Sequence, residues 1–367
     1  MPILFHYLLR LFLTGLGQIT GLFIGLFLLI DGIENMRRFS LKPTFDWEDM
    51  LLMMLFRLPD FVTLLLPSIA LLTVLMVLAR LSRQNEITVM RASGVSLYRI
   101  LIPFLLGGLG VAIGQLAMQD HLVPWSKQAA QTLEDRFLGY ENPVQADMDN
   151  VWLKAMSPEG ERQLIHLQQA LPDERVLLNV TVFAWDADQR LRSHLQARSA
   201  RLEQGRWTLS QGIIHQYGER VTAEKFAQRP WPVILEADQL NRTAINPDFL
   251  SFEQVRHLIE RTEREGYDAT RLWVLLHGRL SQPATTLAAI LLAFPFTLRL
   301  PRRGGVTRSL LLGLLIGFAM FVVINLSQAL GLGGRLPPVL SAWAPVFFFT
   351  GIGGFLLIHL ADPRRQG

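Results

Sequence analysis

The sequence predicts an α-helical membrane protein with six transmembrane helices and an inserted all-β domain, jelly-roll-like, on the outer side of the membrane. Three observations predict it. Half of the 367 residues are hydrophobic and the mean hydropathy is +0.28, high for a soluble chain and ordinary for one that crosses a bilayer several times. Six apolar runs, Leu11–Ile30, Phe61–Ala79, Ile100–Met118, Leu280–Leu298, Ser309–Gly331 and Pro337–Leu360, each have about the twenty residues needed to cross a bilayer core. Between the third and fourth runs, alternation at period two replaces helical periodicity.

Charge bias sets the orientation. Residues 1–10, 80–99, 299–308 and 361–367 together hold 11 Lys+Arg against 2 Asp+Glu, whereas the short connections 31–60 and 332–336 hold 5 against 6. The basic group belongs on the cytoplasmic side, with both termini. The long segment 119–279 holds 19 against 23, and a domain of that length translocates largely regardless of charge. The net charge of +4 mixes these compartments and calls for no nucleic acid. No Asp, Glu, Lys or Arg falls within the six runs, unlike an ion-coupled carrier, which usually keeps an acid in the membrane. The first run is too long for a signal-peptide core and lacks a small-x-small site before Asp31. With no Cys in the chain, disulfides, a thiol nucleophile and cysteine metal sites are excluded.

The first run is punctuated by Gly15, Gly17, Gly21 and Gly25. The spacing Gly17-x-x-x-Gly21-x-x-x-Gly25 puts small residues on one face, where another helix or a lipid chain can approach. Just beyond lie Asp31, Glu34, Arg37, Arg38 and Lys42. Arginines here either snorkel to the interface or hold phosphorylated sugars of a large lipid, since a guanidinium fork makes two charge-assisted bonds to a phosphate. Pro43–Asp60 reads as a short interfacial helix leading into the second run. Its acids Asp46, Glu48 and Asp49 have no His at ligand spacing and read as solvated charge.

Between the second and third runs, Arg80, Arg83, Arg91 and Arg99 surround a single acid, Glu86. Residues 81–93 are good helix formers without Pro or Gly, Gly94 suits the left-handed position that ends a helix, and Ser96 can cap the next one. Arg83, Glu86 and Met90 are spaced to share one face of such a helix. The stretch reads as a topogenic loop or as a docking helix held at both ends. Asn85-Glu86-Ile87-Thr88-Val89-Met90-Arg91-Ala92-Ser93-Gly94 resembles the Ser/Asn-Glu-Ile/Leu-x-Val-Met-x-Ala-Ser/Cys-Gly signature of the lipopolysaccharide-export permeases, the paired F and G membrane subunits of YjgP/YjgQ type. The resemblance implies that about 81–93 is a coupling helix seated in a groove of a cytoplasmic ABC ATPase, with Arg83, Glu86, Met90, Arg91 and Gly94 at that contact.

Past Gln119, strand-like pieces at Trp152–Lys154, Val180–Phe183, Trp207–Leu209 and Ile213–Tyr217 alternate with turn signals at 158–160, 172–173, 186–188 and 204–205. Many short strands at this spacing suggest a sandwich or jelly roll with an edge or groove for acyl chains. The resemblance makes this a periplasmic domain that receives lipid. Ser251-Phe252-Glu253-Gln254 is a capping box, with Leu250 and Val255 placed as its hydrophobic staple and Gly266 as the stop. Asn246–Ser251, Tyr267-Asp268-Ala269, Gln282-Pro283 and Leu336-Pro337-Pro338 are again similar to the family, leaning to the G subunit. In the fifth run Asn325, Ser327 and Gln328 either bond neighbouring helices or line a cavity for a polar head group.

Nothing in the chain argues for catalysis: Gly-x-x-x-x-Gly-Lys-Ser/Thr, His-Glu-x-x-His and Gly-x-Ser-x-Gly are absent. The expected organisation is 1–118 as helices one to three with the coupling helix, 119–250 as the β domain, 251–279 as a linker helix leading to the fourth span, and 280–367 as helices four to six. The family implies a non-catalytic permease in the bacterial inner membrane that extracts lipopolysaccharide and passes it to a periplasmic bridge for outer-membrane assembly. Its implied partners are an F-type subunit as heterodimer, an ATPase dimer carrying ATP and Mg, and a single-span periplasmic protein of the C type. The lipid-binding set implied with it is Arg37, Arg38, Lys42, Asn325 and Gln328. The alternatives are a permease or mechanotransmission subunit of another ABC system, such as lipoprotein extraction, or a non-transporting membrane scaffold with a periplasmic binding domain.

Overall fold

A computed structural model describes residues 2–40, 46–138, 149–156, 162–171, 176–185, 190–203, 206–217, 221–232, 246–264, 266–299 and 305–361. These fall into a helical unit and a second unit built on a β-sheet.

The first apolar run is the middle of a longer helix, α1 (Pro2–Phe39). The interfacial helix expected before the second run is not separate. It is continuous with that run in α2 (Trp47–Arg83), which carries Pro59 and Pro67 internally. A helix that stays unbroken keeps the remaining backbone groups paired where no water can replace them. Gly15 and Gly32 permit close packing of α1 on α2: a Cβ would lie 3.0 Å from Val77 at the first and 3.2 Å from Met54 at the second, whereas Gly17, Gly21 and Gly25 face open space.

The helix expected at about 81–93 is shorter. α3 spans Glu86–Ala92, because Asn85 adopts a left-handed φ of 58° and breaks it from α2. Gly94, at φ +83°, ends it. The bonds Gly94 N–H to Arg91 C=O and Val95 N–H to Met90 C=O, both 3.0 Å, form the expected Schellman stop. Ser96 then caps α4 (Leu97–Ala117), its hydroxyl accepting from the Arg99 amide.

The helical path does not stop at Gln119, where the change of character was expected. A π-turn at Met118–Leu122 leads directly into α5 (Val123–Leu138). The polar composition of α5 hid this: one apolar face suffices for a helix that leaves the bilayer.

Six strands follow: β1 (Asp149–Met156), β2 (Arg162–Leu171), β3 (Val176–Trp185), β4 (Leu191–Glu203), β5 (Arg206–Gln216) and β6 (Thr222–Trp231). They pair antiparallel in sequence order, so the all-β insertion is a meander among the described residues. Ile165, Leu167, Val180, Val182, Leu195, Trp207, Leu209 and Trp231 form its core. Gln168, Asn179, Arg198 and Gln211 lie opposite one another, and the ladders skip them. All four are exposed, and on β3, β4 and β5 the buried positions change parity across this row. Left-handed φ values at Asn179 (49°) and Gln211 (52°) make the bend that lets both halves of each strand serve one core.

The capping box forms as read: Ser251 N–H donates to Gln254 Oε1 at 2.9 Å and Gln254 N–H to Ser251 Oγ at 3.3 Å. It starts α6 (Phe252–Arg264), with Leu250 packed on the cluster of Val255 and Ile259. Asp268 caps α7 (Thr270–Arg299), accepting the Thr270 amide at 2.9 Å; the Thr270 side chain first, and then its amide, hold the Asp268 carboxyl below the usual range. α8 (Gly305–Leu332) and α9 (Pro338–Ala361) complete the chain. One core joins seven of these helices through Leu8 and Phe12 (α1), Leu75 and Leu78 (α2), Ile87 (α3), Phe104 (α4), Phe294 (α7), Met320 (α8) and Phe349 (α9). Among the described residues five helices are long and apolar enough to cross a membrane: Pro2–Phe39, Trp47–Arg83, Leu97–Phe137, Leu311–Leu332 and Pro338–His359. The expected span Leu280–Leu298 lies inside α7, which packs against α2, α4, α8 and α9 without adding to that count.

Candidate functional site

Seven residues are too few for a helix to persist alone, so α3 depends on what it packs against. Ile87 is buried in the helical core and Met90 is half-buried against it. Their i, i+3 spacing makes this the inward face. Thr88, Arg91 and Ala92 are exposed, and Val89 is 63% exposed. That corrects two expectations. Met90 is an anchor to the bundle rather than an outward knob. Arg83 belongs to the last turn of α2, and the break at Asn85 takes it out of helical register with Glu86. Glu86 begins α3 and its Oε2 accepts a 2.8 Å hydrogen bond from the Tyr7 hydroxyl of α1. Arg91 and Gly94 sit where expected, at the exposed last turn and its stop. Val89 and Tyr7 escaped the sequence reading, though a Val out of phase with Ile87 and Met90 is a visible signal.

The C-terminal end of α1 is a second polar cluster. Arg37 donates to both carboxylate oxygens of Glu34, at 2.8 and 3.1 Å, so its fork is engaged one turn back along its own helix. Arg38 lies over the Phe39 ring at 5.1 Å. Lys42 lies outside the described residues. Below them Asp31 accepts from Asn35 at 2.7 Å and from Arg57 of α2 at 3.2 Å, and Asn35 is fully buried. Asn325 is exposed but donates to the Phe321 carbonyl on its own helix at 2.8 Å. Gln328 is half-buried, its amide 3.3 Å from where a Cβ on Gly278 would stand. The proposed lipid set is therefore divided between α1 and α8, both of which pack on α2.

Sequence reasoning missed a buried network near the π-turn. Gln115 donates to the Thr63 carbonyl and accepts from the Thr286 hydroxyl, both at 2.9 Å, and Gln119 donates to Gln282. Asp120 accepts the Phe252 amide at 2.8 Å. Arg279 donates to the carbonyls of Leu250, Pro247 and Asp248 at 2.6 to 3.1 Å. Together these fix the approach to α6 and α7 against α4 and its π-turn. The Gln residues within apolar runs were the available signal.

In the sheet unit, His194 stacks between Phe183 at 4.7 Å and His215 at 6.0 Å. Burial pushes its pKa down, as does the neighbouring His215. No group of three or more His, Cys, Asp or Glu that could hold a metal ion occurs among the described residues.

Comparison with known proteins covers nearly the whole chain. Residues 6–359 match the family described as lipopolysaccharide export system permease LptF/LptG. The chain is 23% identical over 309 residues to the lipopolysaccharide export system permease protein LptG of Escherichia coli, covering 83% of this chain and 84% of that protein. It is 22% identical over 344 residues to the protein of the same name from Haemophilus influenzae, covering 92% and 93%.

Proposed function

Since the chain belongs to the LptF/LptG family of lipopolysaccharide export permeases, we propose how its parts divide that work. It is a multi-pass membrane protein of the G type, paired with an F-type subunit in the inner membrane. Both termini are cytoplasmic and the sheet unit is periplasmic, in line with the 11-to-2 charge count. ATP and Mg reside on a cytoplasmic ATPase dimer, and α3 is the element that dimer grips. One observation carries this reading: α3 turns Ile87 and Met90 into the bundle and leaves Val89, Arg91 and Ala92 outward, beside the Glu86 carboxylate. A small apolar knob rimmed by charge fits a groove with a basic edge. ATP moves α3 to the extent that the ATPase binds its two positions with different affinity.

The exposed flanks of α1 and α8 supply the surface for the F-type subunit and the lipid cavity between them. Arg37, Arg38 and Lys42 meet the lipid's phosphates at the outer mouth. The Glu34 partner of Arg37 is a solvent-exposed pair, 74% and 46% exposed, which a phosphate dianion can outcompete. Asn325 and Gln328 face the sugar region. The sheet core receives the acyl chains and passes the lipid to a single-span periplasmic partner of the C type.

The test is Glu86→Lys, compared with Gln84→Ala, in co-purification of the ATPase and in lipid release. Loss of an interfacial charge pair weakens binding by about 2–5 kcal/mol if the pair is buried in the complex. Wild-type behaviour of Glu86→Lys in both assays returns α3 to a topogenic turn.

A further inference from the structure

The Tyr7–Glu86 contact joins residues 79 positions apart, and it joins the mobile end of the proposed machine to the helix that carries Arg37 and Arg38. Two kinds of contact meet there. Leu8 and Phe12 of α1 are fully buried in the same core as Ile87 and Leu97, with Leu4, Leu11 and Met90 packed against it. On the neighbouring surface the Tyr7 hydroxyl donates to Glu86 at 2.8 Å. Apolar contact holds α1 and α3 together but leaves α3 free to roll, because dispersion has no direction. The hydrogen bond is directional and fixes the roll.

Farther along, the face of α1 that carries Gly17, Gly21 and Gly25 is open, while another face packs through Ile19, with Leu16 and Phe23, against Ile69 and Leu72 of α2, and the far end is fastened by Asp31, Asn35 and Arg57. A helix that is one continuous rigid element transmits a push or twist applied at one end.

We propose that Tyr7 is a positioning residue for export: its hydroxyl, bonded to Glu86, makes the cytoplasmic end of α1 move with α3. The ATP-driven shift is thereby delivered to the lipid-facing helix itself, and not only through α2 and α4. The inference rests on the docking role proposed for α3. The bond from the Tyr7 hydroxyl restricts the rotation of the Glu86 side chain. Phe at position 7 keeps the ring and its packing and removes that one bond.

The experiment uses the complete transporter reconstituted with lipopolysaccharide in proteoliposomes. Tyr7→Phe should retain ATPase co-purification and hydrolysis, with an unchanged melting temperature, while lipopolysaccharide released per ATP hydrolysed falls about three- to tenfold, the scale of one lost hydrogen bond in an exposed place. A second readout follows the motion itself. The chain has no Cys, so spin labels on Ile3→Cys and Ser93→Cys report the separation of α1 and α3. With the native Tyr7 that distance should hold on adding ATP, and with Tyr7→Phe it should change. A wild-type lipid-to-ATP ratio in Tyr7→Phe overturns the tether. So does loss of ATPase binding in Tyr7→Phe, which would make the hydroxyl part of the docking face. Neither result touches the docking role of α3, which stands or falls with Glu86→Lys.

Discussion

α1 and α2 are nearly equal in length, 38 and 37 residues, and both are apolar, yet their surroundings differ sharply. In its most apolar window α2 is 67% buried and α1 only 11%. α2 is enclosed by α1, α4, α7 and α8, with Ile69, Leu71, Val74, Leu75 and Leu78 inaccessible. α1 shows Leu22, Leu26, Leu29 and Ile33 outward. Hydropathy scores both as spans because it measures transfer from water, and lipid and protein interior are about equally apolar. Packing divides them into a buried pillar and an exposed arm.

The contrast breaks first at the pillar. Leu75→Ala should remove a fully buried side chain and cost about 2–5 kcal/mol, seen as a clear fall in the melting temperature of the purified protein. Leu22→Ala, on the exposed face of α1, should leave melting within error. Equal effects at the two positions would remove the distinction between pillar and arm.

Next is the outer fastening of the arm. Asp31→Asn leaves Arg57 facing a neutral amide, with side-chain exposures of only 26% for Arg57 and 16% for Asp31 in the native pair. The expected cost is about 1–3 kcal/mol, as for a charged hydrogen bond in a partly buried place. Hydrogen exchange of residues 31–39 should rise with it. Unchanged exchange would mean that packing, such as Phe27 on Phe61 at 4.3 Å, holds this end alone.

A smaller effect is expected where α3 leads into α4. Ser96→Ala deletes the cap of α4 and should cost about 1 kcal/mol, lowering the melting temperature slightly without altering ATPase binding. The smallest stability effect belongs to Glu34→Gln. The Arg37 pair is exposed, so melting should not move, but freeing the guanidinium should tighten binding of phosphorylated lipid. Weaker lipid binding instead would show that Glu34 orients Arg37 for the phosphate rather than competing with it.

Much of the scaffold was legible from local chemistry. Gly94, Ser96 and the Ser251–Gln254 box each carry their meaning within a few residues, and each forms as read, while the apolar runs all fall in helices, five of which are long and apolar enough to cross a membrane among the described residues. The helix beyond Met118 was not legible, because α5 is polar on most of its surface and the turn that preserves continuity is a π-turn with no composition of its own. The pairing of Arg37 with Glu34 could have been read from i, i+3 spacing, whereas its exposure could not.

The sequence by itself determined that the chain crosses a membrane repeatedly, where its helices are capped and stopped, and which short basic stretch sits between two spans. These depend on transfer free energies and caps that act over one or two turns. The tertiary structure alone decided that α2 is central and α1 peripheral, that Met90 points inward and Val89 outward, that Gln115 and Gln119 find partners across helices, and that Tyr7 meets Glu86. Each of those outcomes rests on which faces are brought together by residues far apart in the chain, and a helix's own periodicity offers several apolar faces without saying which neighbour will cover them.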